Sequence, residues 1–229
     1  MKLPHLPTLA RITSALRRQH GRPKVPPPRT AFEWVLWENV AYLASDDTRG
    51  DAFALLERSV GFAPEEILRA RIPVLLEVTR HGIVANLFAR KLQNAAQIAV
   101  DKFDGDVDAA LSNDSAKAAR QLRAFPGIGE PGAEKILVAL GRVKTLALDS
   151  NGLRVLQRVG FGSALRSYAA SYRSVKAAVP IAGVSAKKLF EAHLLLRTHG
   201  QTICKAGAPL CSACQLRTMC AYALTRRPS

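Results

Sequence analysis

Apolar residues along this chain recur at intervals of three and four. Phe32, Val35, Leu36, Val40 and Leu43 keep that spacing, which lines them up on one face of a helix. The same pattern predicts short helices over Asp51–Val60, Pro64–Ala70 and Ile72–Arg80. Pro64 and Pro73 fall in first turns, where a missing N–H is no loss. A longer helix is predicted from about Phe88 to Phe103. Ser115–Ala124, Gly132–Leu140, Ser150–Val159, Ser167–Ala178 and Ser185–Thr198 follow. No segment alternates convincingly with a period of two, and none repeats. The fold class read from the pattern is all-α, with many short helices. Near the start, an amphipathic stretch from Leu9 to Leu16 precedes Arg22-Pro23-Lys24-Val25-Pro26-Pro27-Pro28. Proline excludes that run from a helix interior, so it reads as a linker.

Composition narrows the partner. The chain has 229 residues, enough for one large domain or two small lobes with a real core. Hydrophobic residues make up 48 %, which excludes wholesale disorder. Lys and Arg number 33 against 18 Asp and Glu, a net charge of +15. Such an excess points to a polyanion, nucleic acid ahead of an anionic membrane surface. No uncharged apolar run reaches the ~18 residues of a membrane span. The first residues, Met1 to Pro7, lack the apolar core of a secretory signal. A soluble, cytoplasmic protein is expected, without a membrane partner.

The cysteines change the picture more than the charge does. All four, Cys204, Cys211, Cys214 and Cys220, lie near the C-terminus, spaced C-x6-C-x2-C-x5-C. A disulfide framework would spread its cysteines to staple a small core, and this chain is long enough to need no staples. Four clustered thiols read as a metal site. Structural zinc sites pair cysteines in two short knuckles, and only Cys211 and Cys214 have that spacing. A 4Fe–4S cluster needs four thiolates converging on its corners, which a compact loop supplies, and spacing favours it over zinc. Lys205, Arg217, Arg226 and Arg227 lie nearby and would offset thiolate charge or touch phosphates.

A second constellation lies between Leu122 and Leu137, where Gly127 and Gly129 flank Ile128 between two helical segments. Such a turn points backbone N–H groups outward at a helix N-terminus, where they can hold a phosphate. Asp149 follows the apolar run Leu146-Ala147-Leu148 and precedes Ser150-Asn151-Gly152. Taken alone, it reads as a helix N-cap.

Together, the Gly127-Ile128-Gly129 hairpin, Asp149 and the C-x6-C-x2-C-x5-C loop resemble the endonuclease III family of DNA glycosylases, from Phe32 to Tyr222. The segment from Phe32 to Ala52, Lys91-Leu92-Gln93-Asn94, and His199-Gly200 with Cys204 also match the family's layout. The resemblance implies two helical lobes, with a 4Fe–4S cluster on the four cysteines and DNA across the groove between the lobes. The expected divisions are a basic Pro-rich segment 1–30 packing with the cluster lobe, a six-helix barrel lobe 31–142 carrying the hairpin, and a cluster lobe 143–229. It also moves Asp149 from cap to catalytic residue.

The departures from the family pattern are as informative as the matches. Bifunctional members carry a lysine two residues after the second hairpin glycine, whose amine attacks the sugar. Here that residue is Pro131, so lyase chemistry looks lost. Lys135, one helical turn on, is read as a solvated lysine or phosphate contact, or as a substitute nucleophile. Glu38 interrupts a mostly apolar helix; on its own it reads as a buried or groove-edge carboxylate satisfied by an arginine, and it resembles the glutamate of the monofunctional mismatch glycosylases. In an apolar pocket it would stay protonated and act as general acid on the departing base, while ionised Asp149 stabilises charge on the sugar. The base must first leave the stack. Leu43, and His81 or Ile83, are the expected wedge residues, with Tyr42 and Trp37 available to stack. An apolar wedge fills space without reading the orphaned base. Leu43 and the chain's end nine residues after Cys220 argue against adenine opposite oxidised guanine as the main target.

The resulting expectation is a monomeric, monofunctional glycosylase on damaged or mismatched double-stranded DNA. A bifunctional oxidised-pyrimidine enzyme and a non-catalytic iron–sulfur DNA-binding protein are the alternatives.

Overall fold

The structure is a computed structural model, and residues 6–225 are described. Within them there are helices and turns but no strand, in agreement with the all-α reading. No helix among these residues is long and apolar enough to cross a membrane. The chain divides into two compact units, one of residues 26–143 and one of residues 1–25 with 144–229.

The unit of residues 26–143 is built on α2 (Ala31–Val40) and α6 (Ala85–Phe103), with α3 (Asp46–Ser59), α4 (Pro64–Arg69), α5 (Ile72–Thr79), α7 (Val107–Ala110), α8 (Ser115–Leu122) and α9 (Glu130–Ala139) around them. The N-terminus of α2 is closed by Thr30, whose side chain accepts from Glu33 N. Asp108 accepts from Ala31 N at 2.9 Å. Phe32, Trp34, Val35, Leu36, Trp37 and Val40 are all buried, so α2 is apolar nearly all round and runs through the core. Burial of each large side chain contributes roughly 1.5–3 kcal/mol. Glu38 is therefore an exception on a helix that has almost no solvent face.

Several boundaries differ from the periodicity. Helix α2 stops at Val40, and Leu43 has a left-handed backbone with φ 60°. Helix α3 starts at Asp46, ahead of the expected Asp51, because Ser45 caps it by accepting from Thr48 N. Hydrophobic spacing could not register that first turn, which is polar. Helix α6 begins at Ala85, and the four-residue α7 is too short to show a period.

The other unit contains α1 (Leu9–His20), α10 (Ser150–Val159), α11 (Tyr168–Ala178), α12 (Ala186–Thr202) and α13 (Ala221–Thr225). Two single-turn 3₁₀ segments, Cys211–Ala213 and Arg217–Met219, shape the cysteine loop. Helix α12 packs against both α1 and α10. Ile12 and Leu16 of α1, Leu153 and Leu156 of α10, and Leu189, Leu195 and Leu196 of α12 are core residues. Gly200 lets α12 approach α10 closely, since a Cβ there would lie 2.6 Å from Asn151 Cβ and 2.8 Å from its carbonyl oxygen. Arg226 and Arg227 lie outside the described residues.

Candidate functional site

Asp149 is the N-cap of α10. Its Oδ1 accepts from Gly152 N at 2.8 Å, as an isolated capping aspartate would. Its Oδ2 does more, accepting from Arg197 Nη1 at 2.6 Å and from Asn151 Nδ2 at 3.2 Å. Burial pushes this carboxyl up. Arg197, His193, the Gly152 N–H and the Asn151 amide outweigh burial and hold it below its usual 3.8. The side chain is still 21 % exposed, so an ionised carboxylate is kept accessible. Its charge, together with burial, raises the half-exposed Tyr168 hydroxyl to about 12. Arg197 is 48 positions from Asp149 and on a different helix, so no local pattern announces the pair.

Glu38 sits nearer to the carboxylate satisfied by an arginine than to the protonated acid in an apolar pocket. In place of an apolar wall, its Oε1 faces Lys135 Nζ at 2.6 Å and Arg49 Nη1 at 3.7 Å. Lys135 lies on α9 and Arg49 on α3, and their side chains are only 15 % and 9 % exposed. Lys135 is thus neither a solvated lysine nor an open phosphate contact; its ammonium is committed to Glu38. Trp37 is likewise core, 4 % exposed, packed against Phe53 with Arg49 over its ring.

The glycine hairpin joins α8 to α9. Gly127 has φ 78°, and a Cβ there would lie 3.0 Å from Asn39 Oδ1. Asn39 is fully buried on α2 and donates to Val35 O at 2.8 Å and Pro126 O at 3.1 Å, tying the hairpin to the core. Gly129 is the N-cap of α9 and offers no side-chain cap, so the first-turn N–H groups are left without one. Pro131 stands in that first turn, where it costs no helix bond and removes one donor. Ile128 is 6 % exposed and its N–H is given to Phe125 O, so its side chain packs beneath the turn.

Two loops of the same unit are knit together. Ile83 N donates to Tyr42 O at 3.1 Å, and a Cβ on Gly82 would lie 2.6 Å from Tyr42 N. They hold Leu43 at 69 % exposure, with Ile83 at 51 % and Val84 at 59 %. Val84 as well as Leu43 has a left-handed backbone, φ 56°. For a β-branched residue that is a true outlier, costing about 1–2 kcal/mol. Tyr42 stacks on Phe88 and is half exposed. His81 is exposed and accepts from Arg80 Nε at 3.0 Å.

The four cysteines line one small pocket, with apolar walls from Ile203, Leu210 and Tyr222. No three His, Cys, Asp or Glu side chains among the described residues are grouped to hold a single metal ion. Burial pushes the Cys214 thiol up to about 11, with the other three cysteines adding to the effect, and raises Cys220 as well. Four such thiols repel one another as thiolates unless a cation sits among them. Donors already surround the sulfurs. Arg158 Nη1 reaches Cys204 Sγ at 3.3 Å, and Leu216 N reaches Cys214 Sγ at 3.3 Å. Burial, helped by the His20 charge, pushes His199 down to about 4, and its Nε2 lies 3.4 Å from Cys214 Sγ.

Arg158 also donates to Lys205 O and Ala206 O, clamping the loop after Cys204. Arg154 joins this loop to the aspartate: Nε donates to Cys204 O at 2.9 Å and Nη2 to Asn151 Oδ1 at 2.7 Å. Asn151 is the residue that donates to Asp149.

Known proteins give the same picture. No family model matches the chain. Endonuclease III of Sulfolobus acidocaldarius is 28 % identical over 197 residues, covering 86 % of this chain and 84 % of the relative. Among solved structures, a non-covalent endonuclease III–DNA complex has a TM-score of 0.75 at 19 % identity, over 96 % of this chain and 98 % of the other. A thermostable thymine-DNA glycosylase has a TM-score of 0.73 at 16 % identity, over 95 % and 97 %. The two structures share the fold, and the Sulfolobus protein shares sequence across nearly the whole length. With its glycine hairpin, capped aspartate and gathered cysteines, the chain is similar along most of its length to an endonuclease III and has the all-α fold of the helix–hairpin–helix DNA glycosylases.

Proposed function

We propose that this protein is a monofunctional DNA glycosylase, hydrolysing the bond between a damaged or mismatched base and its deoxyribose. The observation that carries the reading is Asp149, a partly exposed carboxylate held ionised by Arg197. As the glycosidic bond breaks, positive charge develops on the sugar. A fixed carboxylate stabilises that charge more in the transition state than in the ground state. Pro131 supports hydrolysis over lyase chemistry, because it has no amine where bifunctional relatives carry their lysine.

A proton for the departing base would come through the Glu38–Lys135 pair, whose ammonium holds one 2.6 Å from Oε1. In this reading Glu38 passes the proton on, instead of holding it permanently in an apolar pocket. The hairpin N–H groups at Gly129 and along the first turn of α9 would hold a backbone phosphate. Leu43 and Ile83 would fill the gap left by the flipped nucleotide, and the strain at Leu43 and Val84 is the kind stored at working loops. Cys204, Cys211, Cys214 and Cys220 would hold a 4Fe–4S cluster, which when bound cross-links the loop and supplies a redox-capable centre. Their shared cavity and the donors around their sulfurs support that fit over a two-knuckle zinc site.

The Glu38–Lys135 contact favours one other reading. Glu38 is a base within reach of the ammonium, and removing its proton would give a free amine able to form a Schiff base. Borohydride trapping separates the two. A hydrolytic enzyme leaves no covalent complex and breaks the strand only after alkali. A trapped complex lost in Lys135→Ala would establish the lyase.

A further inference from the structure

The C-terminal end of α1 grips one cysteine of the loop from three directions. Gln19 Nε2 donates to Ala213 O at 2.8 Å, and Gln19 Oε1 accepts from Gln215 N at 2.8 Å. One side chain thus brackets the residues on either side of Cys214. Next to it, His20 Nε2 lies 3.0 Å from His199 Nδ1, and His199 Nε2 lies 3.4 Å from Cys214 Sγ. Ile12 and Leu16 are buried on the same face of α1 that carries Gln19 and His20, so packing fixes where those two side chains reach.

The direction of the histidine chain follows from the chemistry of its last member. A cysteine bound to a cluster is a thiolate and can only accept, so an imidazole at His199 with one hydrogen carries it on Nε2, 3.4 Å from the sulfur. Nδ1 of His199 then has a lone pair and no hydrogen. His20 must donate to it through Nε2–H. His20 is partly exposed, whereas His199 is 1 % exposed, so the chain runs inward from the surface to the sulfur.

We propose that α1 supports the cluster through one of its ligands: Gln19 fixes the position of Cys214, and His20, by setting the tautomer of His199, keeps an N–H on its sulfur. This rests on the four cysteines holding a 4Fe–4S cluster. An N–H directed at a ligand sulfur stabilises the more negative, reduced state and so raises the reduction potential. Neither glutamine nor histidine is needed to cap α1, whose last turn already ends at Gly21 N donating to Arg17 O.

The test uses the full chain purified with its iron. Iron and sulfide content of the wild type come first, since absence of a cluster overturns the cofactor reading itself. Reduction potential is then measured by spectroelectrochemistry, and the rate of cluster loss by bleaching under a ferrous chelator. His199→Leu and His20→Leu should both lower the potential. His199→Gln, whose amide can still donate to the sulfur, should recover most of it. Gln19→Ala should leave the potential nearly unchanged and bleach about 10–100-fold faster, the usual scale for losing an outer-shell partner. His20→Leu guards against misfolding of the buried His199 variant, because it alters only a partly exposed residue. A wild-type potential in both His20→Leu and His199→Leu, with the cluster intact, overturns the proposal. So does unchanged bleaching in Gln19→Ala.

Discussion

Asp149 carries two tasks that a single substitution can separate. Asparagine caps helices as well as aspartate does, so Asp149→Asn should keep α10 capped and cost at neutral pH only what the charge pair with Arg197 contributes. It removes the charge that opposes the developing cation, and base release should fall about 10²–10³-fold. The carboxyl's folded-state value lies below its ordinary 3.8. Its stabilising contribution is therefore complete above that pH and is lost as pH falls further, through the folded-state value. Thermal unfolding followed into strong acid should show this decline in the wild type, and a shallower one in Asp149→Asn. Removing the cation in Arg197→Ala raises the Asp149 carboxyl and moves the acid limb of the rate profile to higher pH. An unmoved limb would mean that Arg197 does not set this carboxyl.

The residue scale also shows what a sequence can and cannot carry. Asp149, Glu38 and the cysteines stand out because their types and spacings are local facts. Their partners are not local: Arg197, Lys135 and Arg49 meet them only after helices pack. For Glu38 this mattered. A carboxylate on an apolar helix suggested an apolar pocket, and the cations that pair it came from α3 and α9.

At the scale of elements, hydrophobic periodicity located the long helices because burial sets it. The polar first turn of α3, the short α7 and the 3₁₀ turns lack such a signal. The left-handed residues at Leu43 and Val84 were also silent, since neither residue type favours that backbone. Their strain gives a prediction. Leu43→Gly relieves the backbone and should not destabilise the fold, with a gain of about 1 kcal/mol. It removes the exposed side chain at the same time and should slow base excision, so stability and activity move in opposite directions. Gly82→Ala tests the pairing of the loops. Its Cβ would meet backbone atoms of Ala41 and Tyr42 at 3.0 and 2.6 Å, so the loops must part. A cost of about 1–3 kcal/mol is expected by denaturant titration, with weakened DNA distortion. If Gly82→Ala is neutral in both, the loops do not act together.

For the whole molecule, the excess of positive charge and the all-α architecture are legible in the sequence, because both are sums over many residues. The charge of +15 makes DNA affinity strongly dependent on salt. With about four phosphates neutralised, binding should weaken about 10²-fold from roughly 50 to 200 mM salt. A flat salt response would remove the argument from charge. The apolar side chains at Leu43 and Ile83 have no hydrogen-bonding group for the orphaned base, so excision of a damaged base should be nearly indifferent to the base opposite it. A strong preference would assign the reading of that base to other residues.

The most direct measurement is single-turnover base release from duplexes carrying uracil, hypoxanthine, oxidised, alkylated and mismatched bases, with wild type and Asp149→Asn side by side. The wild type should release at least one base, strands should break only after alkali, and Asp149→Asn should slow release about 10²–10³-fold while still binding the duplex. Equal release by both proteins, or binding without release from any duplex, would contradict the proposed function.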